Sequence, residues 1–313
     1  MTKIWVTGEA LIDFVPNETP AGTGFVPYCG GSTYNVARAA ALQGADVSFV
    51  GALSRDMFGD QLAAALIADG VDLGGTPRVD HPTTLAFVKF DGNDARYAFF
   101  NTGSATQMTD HSATVLNAEP GDILHAGSIS LIDEPGGANI TDFVCAQSDR
   151  LLLSLDPNAR PGMITDLAGW QARIDRLVDH AGIVKLSDED LEVLAPGTDP
   201  QDYIRGLVDR GVALAVITMG GDGAFAATRS GTVRAASQSA GLVDTVGAGD
   251  TVMGTLLTQV IEKDLTQAET LASLGTDALE ALLGRAMTAA WLNCKTTGCN
   301  PPTRQAIDAV IAG

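Results

Sequence analysis

Short apolar runs alternate with helical segments through the middle of this 313-residue chain. Four of the runs are typical of strands, and they are residues 123–126, 151–155, 183–186 and 214–218. Continuous apolar runs indicate strands that are buried on both faces, and strands separated by helices usually pair in parallel. The pattern therefore predicts an α/β fold in which a mostly parallel sheet is covered by helices on both sides.

The two ends of the chain continue this alternation. Residues 3–8 and 47–51 indicate buried strands, whereas small and apolar residues recur at helical spacing in the helices that we predict. Those helices are expected at residues 34–42, 60–67, 248–261, 278–292 and 303–311. Open α/β sheets bind ligands at the carboxyl ends of their strands, and we expect five residues to lie there. These residues are Gly8, Asp13, Asp156, Ser187 and Gly220.

Two segments do not fit a buried parallel sheet. Residues 10–29 indicate two more exposed strands, and the alternating residues 83–90 and 96–100 predict a hairpin that turns through Asp91-Gly92-Asn93. Each of these strands has one polar face that can be exposed to solvent. We therefore expect a small β-sheet attached to the large α/β domain.

Composition and charge limit the partners of this chain. Hydrophobic residues make up 45% of it, which is enough for a large core, and its formal net charge of -19 disfavours nucleic acid and anionic membranes. The four cysteines and four histidines are scattered and form no recognisable zinc motif. With no signal-peptide pattern and no segment apolar enough to cross a bilayer, the sequence predicts a cytoplasmic protein.

Residues 244–253 place a glycine-rich turn directly before a carboxylate and an apolar helix. Gly247 and Gly249 can adopt backbone conformations that are closed to other residues, and Ala248 adds little bulk. The amides of these three residues would open the helix, where unpaired N–H groups and the positive dipole end favour an anion. Asp250 would lie beside that anion, although an ordinary helix N-terminus gives the same local pattern.

Two long motifs resemble the signatures of the ribokinase-like carbohydrate kinases, also called the phosphofructokinase-B (PfkB) family. The C-terminal motif is the Asp-Thr-x-Gly-Ala-Gly-Asp segment ending at Asp250, and the N-terminal one begins at Gly30-Gly31 and runs on to Asp60. The opening GEALIDFVP of residues 8–16 is most similar to the fructokinase branch. The resemblance implies one ribokinase-like three-layer α/β/α domain over residues 1–313, with a β-sheet lid formed by approximately residues 10–29 and 83–101.

The resemblance assigns the chemistry to Asp250 and to the turn of Gly247, Ala248 and Gly249. Asp250 would accept the proton of a sugar hydroxyl while the turn stabilises the transferring phosphoryl group. An aspartate near a helix N-terminus should stay ionised, but a reference pKa of about 3.9 is too low to ionise an alcohol beforehand. Proton transfer is therefore expected late in a loose transition state, with most of the catalysis coming from positioning and electrostatics.

Sugar contacts are also implied by the resemblance. Carboxylates accept from neighbouring hydroxyls, amides donate and accept, and paired glycines let a small polyol approach the backbone. The residues assigned to the sugar are Asp13, Gly30, Gly31, Asn35, Phe99, Asn101, Asp156 and Arg160. Alternatives remain open, since Asp13 could end a strand, Asn35 could cap a helix, and the segment after Asp156 could be a plain proline turn.

ATP is the phosphoryl donor that the resemblance implies, together with Mg²⁺ and, as a further candidate, K⁺. Nucleotide contacts are assigned to Lys185, Ser187, Thr218, Gly220, Gly223 and Asn293. Metal roles are assigned to Asp190, for Mg²⁺, and to Asp244 and Thr245, for a monovalent cation. A helix cap formed by Ser187 competes with the magnesium role, and glycines between two strands also make ordinary hairpins.

The sequence thus predicts an ATP-dependent sugar kinase, and a fructokinase in particular. The main rival is a 2-keto-3-deoxygluconate kinase, whose relatives commonly carry an arginine where this chain has Asn101, although Arg96 and Arg160 remain available to pair an acid. Ribose, inositol and nucleoside kinases stay open, as does a catalytically silent sugar-binding protein. The expected partners are a small sugar and ATP, without nucleic acid or membrane, and a second copy of the chain that pairs through the lid.

Overall fold

The structure is a computed structural model that describes residues 2–20, 22–91 and 94–313. In chain order, its strands are β1 (Lys3–Val6), β2 (Leu11–Thr19), β3 (Gly22–Gly30), β4 (Asp46–Phe49), β5 (Leu53–Ser54), β6 (Arg78–Val79), β7 (Thr84–Asp91), β8 (Asp94–Phe100), β9 (Ile123–Gly127), β10 (Leu152–Asp156), β11 (Ile183–Ser187), β12 (Leu214–Thr218), β13 (Ala224–Thr228) and β14 (Gly231–Ala235). Its α-helices are α1 (Ser32–Leu42), α2 (Met57–Ala68), α3 (Gly136–Cys145), α4 (Leu167–Val178), α5 (Asp188–Leu194), α6 (Pro200–Asp209), α7 (Ala248–Glu262), α8 (Ala268–Ala272), α9 (Thr276–Asn293) and α10 (Arg304–Ile311).

The large sheet has the strand order β14-β13-β12-β11-β10-β9-β1-β4. Neighbouring strands from β12 to β4 pair in parallel, while β13 and β14 are antiparallel at one edge. The four apolar runs of the sequence are β9 to β12, side by side in the centre. The predicted mostly parallel sheet is therefore confirmed.

Helices cover both faces of this sheet because successive residues of its buried strands point to opposite sides. In β12, Leu214 and Val216 pack into one core cluster, and Ala215 and Ile217 pack into the other. Helices α1, α2, α7 and α9 contribute to the first cluster, and α3, α4 and α6 to the second. The result is the predicted three-layer α/β/α arrangement.

The small sheet has the strand order β3-β2-β7-β8, as the two exposed segments of the sequence predict. Strands β7 and β8 are antiparallel and pair as far as Asp91 and Asp94, while the predicted turn residues Gly92 and Asn93 lie outside the described residues. Asp13 lies opposite Ala86, which in turn lies opposite Phe99, so these residues share one face of the sheet. Phe14 and Phe87 stack on the other face, with ring centroids 4.6 Å apart.

The residues expected at the carboxyl edge of the large sheet lie there with one exception. Asp156 and Ser187 are the last residues of β10 and β11, and Gly8 and Gly220 follow β1 and β12 within two residues. Asp13 was expected at a strand end, but it is the third residue of β2 in the small sheet. The Asp13 carboxylate lies against Gly30, and the charges of Arg160 and Asp250 act on it, so it still reaches the same region.

Helices α1 and α7 cross closely at Gly254. A Cβ atom at this position would lie 2.7 Å from the Ala39 Cβ and 2.9 Å from the Val36 carbonyl oxygen. Only a glycine allows this approach, which fixes the start of α1 beside the start of α7. Among residues 2–20, 22–91 and 94–313, no helix combines the length and the apolar composition needed to cross a bilayer.

Candidate active site

The glycine turn of the sequence forms the N-terminus of α7. Gly247 takes a left-handed conformation with φ of 75°, and no side chain caps the helix. The amide of Ala248 donates to the Thr245 carbonyl at 3.2 Å, and the next amides belong to the first turn, whose N–H groups have no carbonyl partner within the helix. Such an uncapped N-terminus can bind an anion.

Asp250 is buried in the first turn of α7 and is held by two residues of α1. Its Oδ1 accepts a hydrogen bond from the Ser32 hydroxyl at 2.7 Å, and its Oδ2 accepts one from the Asn35 side-chain amide at 2.8 Å. Asn158, after β10, donates a weaker bond at 3.5 Å. These contacts fix the orientation of the carboxylate and leave Oδ2 a further lone pair for a substrate hydroxyl.

Burial makes Asp250 a stronger base than its position on the helix suggests. Desolvation raises the pKa of this carboxyl above its ordinary value of 3.8, and it outweighs the opposing hydrogen bonds from Ser32 and Asn35 and the positive charges of Lys185 and Arg160. The sequence predicts an ordinary aspartate at a helix N-terminus, and the structure differs because the side chain is buried. A raised pKa brings the carboxylate closer to the value at which general-base catalysis is efficient.

Asp13 and the Gly30-Gly31 pair form a compact polar corner next to Asp250. A Cβ atom at Gly30 would lie 2.3 Å from the Asp13 Oδ2, so the carboxylate rests on the glycine backbone. Gly31 has a φ of 108° and precedes α1, where a Cβ atom would lie 2.9 Å from the Glu9 carbonyl oxygen. Burial raises the pKa of Asp13 to about 7, although the charge of Arg160 opposes this.

Asn35 is not a helix cap, which was the structural alternative for this residue. It lies inside α1, its Nδ2 donates to Asp250, and its buried Oδ1 has no hydrogen-bond partner within the described part of the chain. A buried acceptor without a partner costs free energy, and a ligand that donates a hydrogen bond to Asn35 Oδ1 would remove that cost.

Lys185 and Asp156 form a buried ion pair at the centre of the carboxyl edge. The Nζ donates to Asp156 Oδ2 at 2.7 Å, and a Cβ atom on Gly249 would lie 2.7 Å from the same Nζ. Desolvation lowers the pKa of Lys185, but the carboxylates of Asp156, Asp190 and Asp250 outweigh it, so this pKa lies above its ordinary value. The ammonium group is thus a fixed positive charge directly beneath the glycine turn.

Asp190 and Ser187 form the helix cap that competed with a metal role. The Ser187 hydroxyl accepts from the Asp190 amide at 3.0 Å, and Asp190 Oδ2 accepts from the Ser187 amide at 2.7 Å. Asp190 Oδ1 accepts a hydrogen bond from the Ala159 amide at 2.5 Å. Asp190 Oδ2 therefore closes the cap of α5, and Oδ1 ties α5 to the segment that carries Arg160. A direct metal bond at Asp190 stays a prediction.

The loop before α7 is hydrogen-bonded to the C-terminal segment. Asp244 accepts from the amides of Val246 at 3.0 Å and Gly298 at 2.8 Å, and Asn293 donates to the Val246 carbonyl at 2.8 Å while it accepts from the Asn300 amide. These contacts shape the glycine turn. The side chains of Asp244 and Asn293 already bond to the backbone. The cation role of Asp244 and Thr245 and the nucleotide contact of Asn293 stay predictions.

The glycine loop after β12 is a tight turn between two antiparallel strands. Gly223 has a φ of 90°, and a Cβ atom there would lie 2.2 Å from the Ala235 carbonyl oxygen. The turn itself therefore requires glycine at this position, without any ligand. Gly220 has a φ of 48° with open space around it, and the Thr218 hydroxyl is half-buried at the strand end. Thr218 and Gly220 therefore remain suitable for the predicted nucleotide contact.

Phe99, Asn101 and Arg160 line a cavity of about 470 Å³ between the small sheet and the large domain. Tyr97 and Asp133 are further lining residues. The charge of Arg160 acts on both Asp13 and Asp250, which places this cavity next to the polar corner. The predicted sugar residues are thus brought together, whereas the side chain of Arg96 lies outside the described residues.

Glu9 is a buried residue that the sequence analysis did not single out. Its Oε1 accepts from the Ser32 amide at 2.7 Å, and the Ser32 hydroxyl in turn donates to Asp250. Glu9 thereby fixes the start of α1 and, through Ser32, the base. A carboxylate directly after a buried strand and a glycine is the signal in the sequence that would have pointed to it.

An anion-binding helix N-terminus, a buried carboxylate base beside it and a neighbouring polar cavity define a class of α/β enzymes that transfer phosphoryl groups to small alcohols. Residues 1–306 match the family described as pfkB family carbohydrate kinase. The chain belongs to this family and is a carbohydrate kinase, and its fold is ribokinase-like, as the two motifs of the sequence predict.

Individual relatives agree with this assignment. A fructokinase from Rhizobium leguminosarum bv. trifolii is 37% identical over 273 residues, which cover 87% of this chain and 84% of that protein. The structure of a fructokinase with bound ATP from Xylella fastidiosa has a TM-score of 0.90 at 26% identity, covering 99% of this chain and 98% of that one. A fructokinase from Vibrio cholerae O395 in fructose, ADP and calcium ion bound form has a TM-score of 0.85 at 25% identity over the same shares.

The burial of Glu9 predicts a pH-dependent stability. Desolvation raises the pKa of Glu9 from an ordinary value of 4.5 to about 7, against hydrogen bonds that include those from Ser128 and Ser32. Between these values only the folded protein binds this proton, so the contribution to the free energy of unfolding is present at acid pH and lost as the pH rises through 7. At about 1.4 kcal/mol per pKa unit, the loss from this group is about 3 kcal/mol.

Glu9→Gln should remove that contribution, and denaturant unfolding of both proteins at about pH 5 and about pH 8 measures it. The free energy of unfolding should fall less with pH in the variant than in the wild type. Glu192→Gln, which removes an exposed carboxyl from α5, is the control and should keep the wild-type dependence. Equal pH dependence in Glu9→Gln and wild type would contradict the assignment.

Proposed function

We propose that this chain is an ATP-dependent fructokinase that transfers the γ-phosphoryl group of ATP to a sugar hydroxyl. The observation that carries the proposal is Asp250, a buried carboxylate in the first turn of an uncapped helix, held in place by Ser32 and Asn35. A binding protein has no need for a base next to an anion site. This geometry therefore favours the kinase over the catalytically silent alternative.

In the proposed reaction, the sugar binds with its acceptor hydroxyl against Asp250. Asp13, the backbone of Gly30 and Gly31, and Asn35 Oδ1 are suited to its other hydroxyls. The hydroxyl oxygen bonds to the γ-phosphorus as the bond to the bridging oxygen of ADP breaks, and the hydroxyl proton passes to Asp250. The free amides at the start of α7 and the Lys185 ammonium stabilise the negative charge of the transferring group.

Two features support fructose as the acceptor. The relatives named above are fructokinases, and one of them was solved with fructose. The cavity also carries the carboxylate of Asp133 and the neutral Asn101 beside Arg160, which is the one cation among the described lining residues. These residues give an acid sugar no excess of positive charge. We further propose that the chain forms a single domain in which the small sheet serves as a lid over this cavity.

Removing the base should abolish most turnover. Asp250→Asn keeps the size and polarity of the side chain but cannot accept the proton, so kcat with fructose and ATP should fall by about two to four orders of magnitude. A coupled assay of fructose-dependent ADP release measures it. Asp277→Asn, at an exposed position in the first turn of α9, is the matched control and should keep kcat. Wild-type turnover in a folded Asp250→Asn variant would remove Asp250 from the mechanism.

Magnesium is proposed to accompany ATP and to supply a counter-charge for its phosphates. Within residues 2–20, 22–91 and 94–313, no group of three or more His, Cys, Asp or Glu side chains is arranged to hold a metal ion. The buried Asp156 Oδ1 has no hydrogen-bond partner in this part of the chain and is available to a cation. This arrangement fits a cation that is held mainly by phosphates and water and that Asp156 orients from the protein side.

Activity should therefore depend on added metal. Because the chain carries a formal net charge of -19, it supplies little general counter-charge for four phosphate charges, and turnover should be lost in excess chelator and restored by Mg²⁺. Potassium should raise the rate above that in sodium, through the loop of Asp244 and Thr245. Full turnover in chelator would refute the magnesium proposal, and identical rates in both salts would refute the potassium proposal.

A second copy of the chain is proposed to cover the phenylalanine face of the small sheet. Phe25 and Phe100 are 46% and 62% exposed on this face, next to Phe14 and Phe87. Exposed aromatic patches of this kind are typical of interfaces.

Light scattering should give a dimer for the wild type and a monomer for the double variant Phe25→Ser/Phe100→Ser. The control Val115→Ser, at a site that is 78% exposed, should stay dimeric. A monomeric wild type would refute the proposal.

A further inference from the structure

Asn101 lines the cavity, but its amide is already committed to other side chains. It is 5% exposed, and its Oδ1 accepts from the hydroxyls of Thr84 and Ser104, each at 2.8 Å. Its Nδ2 donates to Asp133 Oδ2 at 2.8 Å. The neutral residue at this position therefore acts on the cavity mainly by holding a carboxylate.

The backbone of Asp133 is fixed as firmly as its side chain. Its carbonyl accepts from the Gly137 amide at 2.9 Å. Arg173 Nη1 donates to the carbonyls of Leu131 at 2.7 Å and Ile132 at 3.2 Å, just before it. The half-exposed carboxylate thus has one oxygen oriented by Asn101 and stands on the wall of a cavity that Arg160 also lines.

We infer that Asp133, oriented by Asn101, determines which sugars the cavity accepts, by accepting a hydrogen bond from a sugar hydroxyl and by repelling sugars that carry a carboxylate. A hydroxyl can donate to this oxygen, whereas a substrate carboxylate brings a second negative charge to it. Like charges a few ångströms apart in a partly buried site repel strongly. Arg160 alone would attract an acid sugar, and Asp133 cancels that attraction.

The inference rests on the proposed sugar kinase function and deepens it. Selectivity is set by the ratio of kcat/KM for a neutral and an acidic sugar, so the test uses fructose and 2-keto-3-deoxygluconate with ATP as the donor. Two neutral variants, Asp133→Asn and Asp133→Ser, guard against a folding defect in either one. Glu134→Gln removes the same charge from the next residue, which pairs with Arg173 and does not line the cavity.

Both neutral variants should raise kcat/KM for the acid sugar relative to fructose about tenfold or more, since the repulsion is gone. Asp133→Glu, which keeps the charge, should keep the wild-type ratio to within a few-fold, as should Glu134→Gln. If the ratio in the folded neutral variants equals that of Glu134→Gln, the inference is overturned. A general structural defect would lower both rates together and leave the ratio unchanged, which also counts against it.

The same experiment separates this inference from the proposed function. A wild-type preference for the acid sugar would refute the fructokinase proposal, yet an increase of that preference in Asp133→Asn would still support the role of Asp133. A wild-type preference for fructose that Asp133→Asn leaves unchanged would keep the fructokinase and remove Asp133 as its specificity residue.

Discussion

The site depends on the hydrogen bonds that join the start of α7 to the start of α1. Ser32 and Asp250 are 218 positions apart, yet their side chains meet at 2.7 Å, and Asn35 adds a second bond to the same carboxylate. The close crossing at Gly254 makes this meeting possible. Because both helices follow glycines, the Asp250 carboxylate, the uncapped start of α7 and the polar corner of Asp13 come together at one point. The large sheet serves mainly to hold these two helix ends in register.

The electrostatics of the site are set by a few buried groups and not by the net negative charge of the whole chain. Glu9, Asp13, Asp156 and Asp250 are crowded together, and burial raises the pKa of each carboxyl. Lys185 is the buried cation among them and offsets part of their repulsion. The phosphate contacts that we propose use oriented amides and one fixed ammonium group, and they need no positively charged surface.

The sequence predicts much of this fold, because buried strands and the glycine turn leave strong local signals. The central strands β9 to β12 and the position of Asp250 both follow from such patterns. The pairing of Asp190 with Ser187 was foreseen only as an alternative, and the roles of Glu9, Ser32 and Asp133 were not foreseen. Their importance comes from partners far away in the chain, and a local pattern contains no information about which distant amide a carboxylate will meet.

The order of strands in the large sheet bears on how the protein is made. After β1, strand β4 joins one side and β9 the other, and each later strand adds to the free edge left by the one before. The sheet can therefore grow as the chain leaves the ribosome, without opening pairs that have already formed. The candidate site is different, since it includes α7 and the loop before it, which Asn293 contacts. Most of the sheet can thus form in a nascent chain before the helix that carries Asp250 has been made.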